Sequence, residues 1–469
     1  MRFLRLMRWN DKLTNKRVKT FIGALLTIPV LVVNTTAVGV ETDAAKTEEF
    51  FGIIDLSENK VVTEAKKKET GVTAGESWSI KGYVKQRYAY SLEQPVSAST
   101  RRESEGLSQV RTVFDVSLEG KLYNTLEYRL NGYRSEDNYA TWDDGFEWRE
   151  AYINFPVGNR LWLKTGRQIV AWGQSDFTQI LDQTNPRDVR EFGLVEAEDI
   201  RIPVAATKLN FVGNRWGVDL VFTHEYRSNR MAAQGDDFDP YVVLRGNFYI
   251  DDGREPELDD PEILFRSFFS FSKGDISFIY ADVYDDSPVL RITGPGQMQR
   301  YYNPIKVAGV GANWIENQWL FKTELAYKKD VEILRNNFAG GRVTETGAKW
   351  VAMLGAEYTI NGDAGLALEY LMEQIQDYSI QMRPEESETS FILSGRFEYL
   401  RDLATLTLAW GHWEEGKSDI YRVTFDYDVA DNLELSAGYL VYQAEEPGSL
   451  LYSFRNNDQF SVGLRMGLQ

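Results

Sequence analysis

The chain has 469 residues, no cysteine, two histidines and a net charge of −18. No cysteine means no disulfide, no thiolate metal site and no thiol nucleophile, and two histidines are too few for a histidine metal cluster. So acidic a chain also argues against nucleic acid as a partner, because that binding rests on neutralising phosphates with Lys and Arg.

Arg2, Arg5, Arg8, Lys12, Lys16, Arg17 and Lys19 form a basic start, followed by the apolar run 20–33. That run is shorter than the roughly 20 residues of a spanning helix and is interrupted by Pro29, so it reads as an export signal. Cleavage is expected near Ala37, making 1–37 a signal peptide. Residues 38–76 are charged and unpatterned, including Glu64–Glu69, and are expected to form a periplasmic extension. Beyond the signal no apolar run is long enough for a helical span. A chain that stays in a membrane must then close its backbone hydrogen bonds in a barrel.

From Ser77 onward, segments of about ten residues alternate apolar with polar, as strands that put one side chain in lipid and the next in a lumen do. Val110, Thr112, Phe114, Val116 and Leu118 oppose Arg111, Asp115 and Ser117. Leu126, Tyr128 and Leu130 oppose Glu127, Arg129 and Asn131, and Tyr421, Val423, Phe425 and Tyr427 oppose Arg422, Thr424 and Asp426. Tight turns are expected at Glu119–Lys121, Pro156–Asn159, Val212–Arg215, Lys273–Asp275, Ile315–Gln318, Asn361–Asp363, Tyr399–Asp402 and Val429–Asn432, where Gly, Asn and Asp supply hairpin geometry. Long polar connections alternate with them, at 91–107, 134–146, 169–200, 227–262, 285–304 and 330–346, with shorter ones later. Short turns on one rim and long loops on the other predict an all-β transmembrane antiparallel barrel over 77–469. About 18 strands are expected, with 16 as the fallback, and the turns are periplasmic and the loops extracellular. Trp78, Tyr88, Tyr90, Trp148, Trp216, Trp350, Trp410 and Trp413 fall near strand ends, where headgroup girdles form. At the C-terminus, Ser461, Gly463, Met466 and Leu468 fit the insertion signal of outer-membrane barrels, although no terminal aromatic is present and Gln469 follows.

Charges on the lipid face are costly, so Arg111, Asp115, Glu127, Arg129, Glu150, Lys164, Lys208, Lys322, Glu324, Arg396, Glu398, Arg422, Asp426 and Arg465 are expected to line the lumen wall. Their mixed signs predict a polar, watery interior. The third long loop carries the least generic chemistry: Gly166-Arg167-Gln168, then Trp172-Gly173, Asp176, Asp182, and Asn185-Pro186-Arg187-Asp188 with Arg190. Arg167, Gln168, Trp172, Asp176, Asp182, Asn185, Arg187, Asp188 and Arg190 are the candidate constriction residues. Arg187 and Arg190 are expected to pair with Asp182, Asp188 and Glu191 and hold the loop against the wall.

The pattern G-R-Q-x-x-x-W-G followed by N-P-x-D resembles that of an uncharacterised proteobacterial outer-membrane barrel family of porin-like proteins. The resemblance implies an outer-membrane location and hydrophobic or lipid-like cargo. The partners it implies are an exporter of the resistance-nodulation type and a periplasmic lipid carrier. The barrel reading adds outer-membrane lipid, lipopolysaccharide and the barrel-insertion machinery as surroundings, and no cofactor. The expected function is a channel moving small or hydrophobic molecules, with 169–200 as constriction or gate. A non-conducting binding or assembly barrel, or the sheath of an electron-transfer conduit, is the alternative. Catalysis has little footing, since His224 and His412 lie near strand ends without a recognisable nucleophile.

Overall fold

The computed structural model describes residues 77–94, 106–123, 125–139, 143–193, 197–251, 261–335, 344–360, 362–414, 417–446, 449 and 451–468. The expected signal 1–37 and extension 38–76 lie outside the described residues.

Period-two patterning governs the long segments, with the usual polarity turned inside out. Along Trp319–Leu334, Phe321 and Leu325 are 45% and 41% exposed, whereas Lys322 and Glu324 between them are 4% and 1% exposed. A half-buried sheet in water puts its apolar face inward and its charges outward. Here the apolar face is the outer one.

The strands follow in chain order as β1 (Ser77–Ser91), β2 (Gly106–Leu122), β3 (Leu126–Asp137), β4 (Asp143–Pro156) and β5 (Leu161–Gln168). After a long connection with one helical turn, α1 (Ala197–Ile200), come β6 (Val204–Val212), β7 (Trp216–Thr223), β8 (Tyr249–Asp251), β9 (Ile263–Phe271) and β10 (Gly274–Tyr284). Then come β11 (Val289–Gly294), β12 (Gln297–Tyr301), β13 (Pro304–Glu316), β14 (Trp319–Leu334), β15 (Thr344–Ile360), β16 (Ala364–Gln376) and β17 (Ser387–Tyr399). The last four are β18 (Ala404–Trp413), β19 (Ser418–Ala430), β20 (Leu433–Ala444) and β21 (Gln459–Leu468).

All but β8, β11 and β12 form one antiparallel 18-stranded sheet, and β1 pairs with β21 to close it. Closure removes both edges, so no ladder is left with unpaired amides. The expected barrel and strand number are therefore found. The remaining three strands make a small sheet on the long-loop rim, where β8 runs parallel to β12 and ties the connection after β7 to the one after β10.

Three expectations need correction. β2 does not turn at Glu119–Lys121 but runs on to Leu122, turning beyond Tyr123, whose φ is 53°. Cross-strand charge holds the extra residues in place: Lys121 pairs with Glu127 at 2.8 Å. Gly120 serves close packing, since a Cβ there would meet the ring of Tyr128 at 2.8 Å. In the girdle, Trp78, Trp148, Trp216 and Trp350 are exposed, but Trp413 turns inward onto Phe192. Trp410 is half-buried and donates its indole N–H to Asp419 at 2.9 Å. Finally, the lumen is not polar throughout. The inner faces of β6 to β16 carry Val221, Leu264, Ile279, Ile305, Val307, Val351, Met353 and Leu371, all buried. They stay dry because the connection after β5 lies over them.

Candidate functional site

The connection from Gln168 to Val204 leaves the rim of β5 and enters the barrel. Its root is fixed by the residues of the Gly166–Asp188 pattern. Gly166 has φ +120°, and a Cβ there would run into the Tyr152 Cα at 2.8 Å, so only glycine fits. Gln168 is fully buried and donates to the Ala206 carbonyl at 2.9 Å. Asn185 closes the base of the loop: its Oδ1 accepts the Val170 N–H at 2.7 Å, and its Nδ2 donates to the Ile202 carbonyl at 2.9 Å. One buried side chain thus joins the outgoing and returning limbs. Arg167 lies apart from the lumen group, pairing with Glu225 at 2.7 Å and donating to the Trp148 carbonyl.

The descending limb packs Trp172, Ile180 and Leu181 onto the apolar half of the wall. The Arg266 guanidinium stands 5.5 Å above the Trp172 ring and pairs with buried Asp219 at 3.1 Å. Leu181 seats against Gly309 and Gly311 of β13, where a Cβ at Gly311 would come within 3.1 Å of its methyl. Two wall glutamates capture the tip. Glu324 on β14 accepts the N–H groups of Gln174, Ser175 at 3.1 Å and Leu181 at 3.1 Å. Glu369 on β16 accepts the Ser175 hydroxyl at 2.8 Å and the Asp176 N–H at 2.9 Å. Lys322 completes the anchor, pairing with Asp176 at 2.8 Å and with Glu357. Gly173 lets the two limbs of the tip lie close, since a Cβ there would come within 3.2 Å of the Asp182 Cβ.

The returning limb crosses to the other side of the barrel. Glu191 receives a bidentate pair of hydrogen bonds from Arg111 on β2, at 2.7 and 3.0 Å. Arg111 also meets Asp137 on β3 at 3.1 Å. Arg422 on β19 donates to the Gly193 carbonyl at 3.1 Å, and the Tyr442 hydroxyl on β20 donates to the Phe192 carbonyl. A loop rooted between β5 and β6 that touches β14, β16, β2, β19 and β20 spans the lumen.

The charge network expected for this loop exists in part: Arg190 has an expected partner, while Asp182 and Glu191 are taken by Arg201 and Arg111. Asp188 pairs with Arg190, and Asp182 pairs with Arg201 at 2.7 Å. Among the described residues Arg187 forms no ion pair with a carboxylate. It donates to the Phe177 carbonyl at 2.9 Å, and its N–H donates to Asn229 at 2.6 Å. Burial depresses its guanidinium below the usual arginine range, against the pull of Asp182. Of the expected wall residues, Arg111, Arg422, Lys322 and Glu324 grip the loop. Lys322 and Glu324 are thereby hidden from water instead of lining it. The others form wall networks: Asp115 with Asn131 at 2.8 Å, Arg129 with Glu150 at 2.9 Å, and Glu127 with Lys121. Arg396 pairs with Glu398 at 3.0 Å, and Lys164 lies 4.1 Å over the Tyr152 ring.

Between the returning limb and the inner faces of β1 to β4 lies a gap, a partly open cavity of about 80 Å³. Lys85, Arg87, Arg111, Tyr133, Glu147 and Arg149 line it from the wall, and Asp188, Arg190, Glu191, Asp199, Arg201 and Arg230 face them. Arg149 reaches Asp199 on α1 across it.

A second connection, after β7, covers the long-loop rim. Ala232 and Phe238 pack on Leu440 and Tyr442 of β20 and on Leu451 and Phe454. Arg227 and Arg230 both grip Glu147 of β4. Where this connection meets the loop after β5, Glu262 is buried and Asp286 is half-buried. Burial pushes Glu262 up to about 7, with the Tyr284 N–H at 3.0 Å opposing it. Burial, then the neighbouring Glu262, raises Asp286 well above the carboxylate range, while Gln179 donates to it at 3.0 Å.

Glu369, Phe192, Tyr442, Arg149 and Asp199 escaped the sequence reading. Their roles depend on contacts between residues up to 250 positions apart, which no local pattern encodes. His412 sits beside Asp419 at 3.0 Å and Glu414 at 3.4 Å, and His224 meets Thr207 at 2.8 Å. Among the described residues no group of His, Asp and Glu is arranged to hold a metal ion.

None of the curated proteins matches the chain. Among solved structures, the outer membrane channel DcaP of Acinetobacter baumannii is 10% identical, with a TM-score of 0.43, over 85% of this chain and 99% of that one. Pseudomonas aeruginosa OpdL is 10% identical, with a TM-score of 0.47, over 84% and 99%. A triple mutant of the Rhodopseudomonas blastica porin is 12% identical, with a TM-score of 0.40, over 84% and 100%. The model of a family described as a protein of unknown function, DUF1302, matches residues 115–466. That span runs from within β2 to within β21, and the chain belongs to the DUF1302 family.

Proposed function

We propose that the protein is an outer-membrane channel whose passage is the gap between the returning limb of the loop after β5 and the wall of β1 to β4. The location rests on the apolar outer face. Exposed Phe114, Leu130, Phe278, Leu325, Leu354 and Phe425 would cost stability in water and gain it in lipid. The observation that carries the channel is the uneven filling of the lumen. The loop occludes the apolar half and leaves a solvated, charged gap beside β1 to β4. The room in that gap, about 80 Å³, suits ions and the smallest hydrophilic solutes.

A second reading keeps hydrophobic cargo, and with it a lipid exporter and a periplasmic lipid carrier as partners. It is favoured by the apolar strip beneath Ile180 and Leu181, which would become a greasy track if the tip lifted off Glu324 and Glu369.

Single-channel recording of the refolded protein in planar bilayers, beside a variant lacking residues 171–190, separates these readings. Steady steps from the wild type, enlarged in the deletion, support the open gap. A closed wild type with a conducting deletion supports a gate and favours the hydrophobic reading. Silence from both, in folded and heat-modifiable barrels, removes the channel and leaves a binding or assembly barrel.

A further inference from the structure

The inner faces of β21, β1 and β2 hold four cations in two adjacent registers. Arg465 on β21 stands directly opposite Lys85 on β1, and Arg87 on β1 stands directly opposite Arg111 on β2. Their inward direction follows from their neighbours, since Tyr88, Tyr90, Val462 and Met466 are exposed on the outside. Like charges directly across an antiparallel pair destabilise the sheet. Two such pairs side by side are a cost that strand pairing alone does not explain. One carboxylate borders each pair, Glu434 opposite Arg465 and Asp137 opposite Arg111. That leaves two cations to one carboxylate in each row, and the gap's lining holds seven basic and four acidic side chains. Arg111 is committed to Glu191 and Asp137, and Arg465 lies 4.2 Å over the Tyr83 ring. These contacts, with the Arg87 donation to the Ser461 hydroxyl at 3.3 Å, fix three of the four cations along the wall.

We infer that this cluster makes the gap selective for small anions, carboxylate- or phosphate-bearing solutes, against the sign of the whole molecule. The inference rests on the channel reading above. A narrow passage with low-dielectric walls focuses the field of its own lining, so the local charge decides which ion enters. The chain as a whole carries −18, which would concentrate cations at its surface. The two charge scales therefore predict opposite signs of one measurable quantity.

That quantity is the zero-current potential of the refolded full chain in a planar bilayer under a KCl gradient, with inorganic phosphate replacing chloride in a second series. The expected result has the sign of anion permeation, and it weakens at high salt as the lining is screened. K85Q/R87Q removes two charges and should lower the anion-to-cation permeability ratio by at least about fivefold, the effect of one unit charge a few ångströms from a hydrated ion. R465Q, on the neighbouring strand, should lower it in the same direction and serves if the double variant does not fold, with heat-modifiable mobility as the folding check. A conducting wild type that prefers cations overturns the assignment and leaves the channel standing. So does an anion preference that folded K85Q/R87Q and R465Q leave unchanged. A folded wild type that never conducts removes the channel reading and the assignment together.

Discussion

Asn185 shows how much one side chain carries in this protein. It is fully buried and bonds Val170, Gln168 and Ile202, so both limbs of the lumen loop depend on it. Asn185→Ala would leave the Val170 N–H buried without an acceptor, at a cost of about 1–3 kcal/mol. The expected outcome is faster hydrogen exchange across 170–190 with the strands unchanged. Unaltered exchange in that segment would mean the loop is held by its tip alone. Glu262 makes a second residue-level prediction, of pH dependence. With its folded value at about 7 against roughly 4.3 in an unfolded chain, the folded state keeps a proton that the unfolded one has released. The Glu262 contribution to stability is therefore fully present below about pH 4, is lost as pH rises toward 7, and is gone above, a loss on the order of 3–4 kcal/mol. Glu262→Gln should flatten that decline in the thermal midpoint, and a variant as pH-sensitive as wild type would place the titrating group elsewhere.

At the scale of elements, the loop after β5 is held by an exchange of roles. Barrel walls supply carboxylates, and the loop supplies backbone N–H groups, the reverse of a side chain capping its own helix or turn. Glu324 and Glu369 together accept five hydrogen bonds from residues 174–181. E324Q/E369Q weakens these charge-assisted bonds while preserving shape, and each such bond contributes about 1.5–3 kcal/mol. Noisier single-channel current with frequent larger steps is the expected consequence; a record as quiet as wild type would show that the apolar contacts of Trp172 and Leu181 suffice. The strands and all their tight turns but the first were legible in sequence, because alternation is a local, period-two property and tight turns demand particular residues. The motif was legible as unusual, and Gly166, Gln168, Trp172, Gly173 and Asn185 all prove to set the course of the loop. Which wall strands it meets was not legible, since Glu324 and Glu369 look in sequence like any other inward charge. The same blindness made the lumen look polar throughout: an apolar inner wall is invisible until its cover is known.

For the whole molecule, the dominant fact is the reversal of polarity between outer and inner faces. A charge placed outward near the middle of β14, as in Leu325→Arg, should cost about 2–4 kcal/mol of stability in lipid. Folding titrations in vesicles would measure it, and a neutral result would mean that this face does not meet hydrocarbon. Trp314, Trp319 and Trp350, exposed on the same side, are placed to mark where that hydrocarbon ends.

The lumen loop has a consequence for how the chain reaches this state. Its anchors are supplied late: Glu324 lies 150 positions beyond Gln174, and Glu369 lies 194 beyond Ser175. Contacts so remote in sequence form slowly and only after the intervening chain is in place. During synthesis and transit, Trp172, Ile180 and Leu181 therefore have no home, although they are among the greasiest residues of that stretch. A chain cut short before β16 would leave them without their full cover, exposed as bait for proteases.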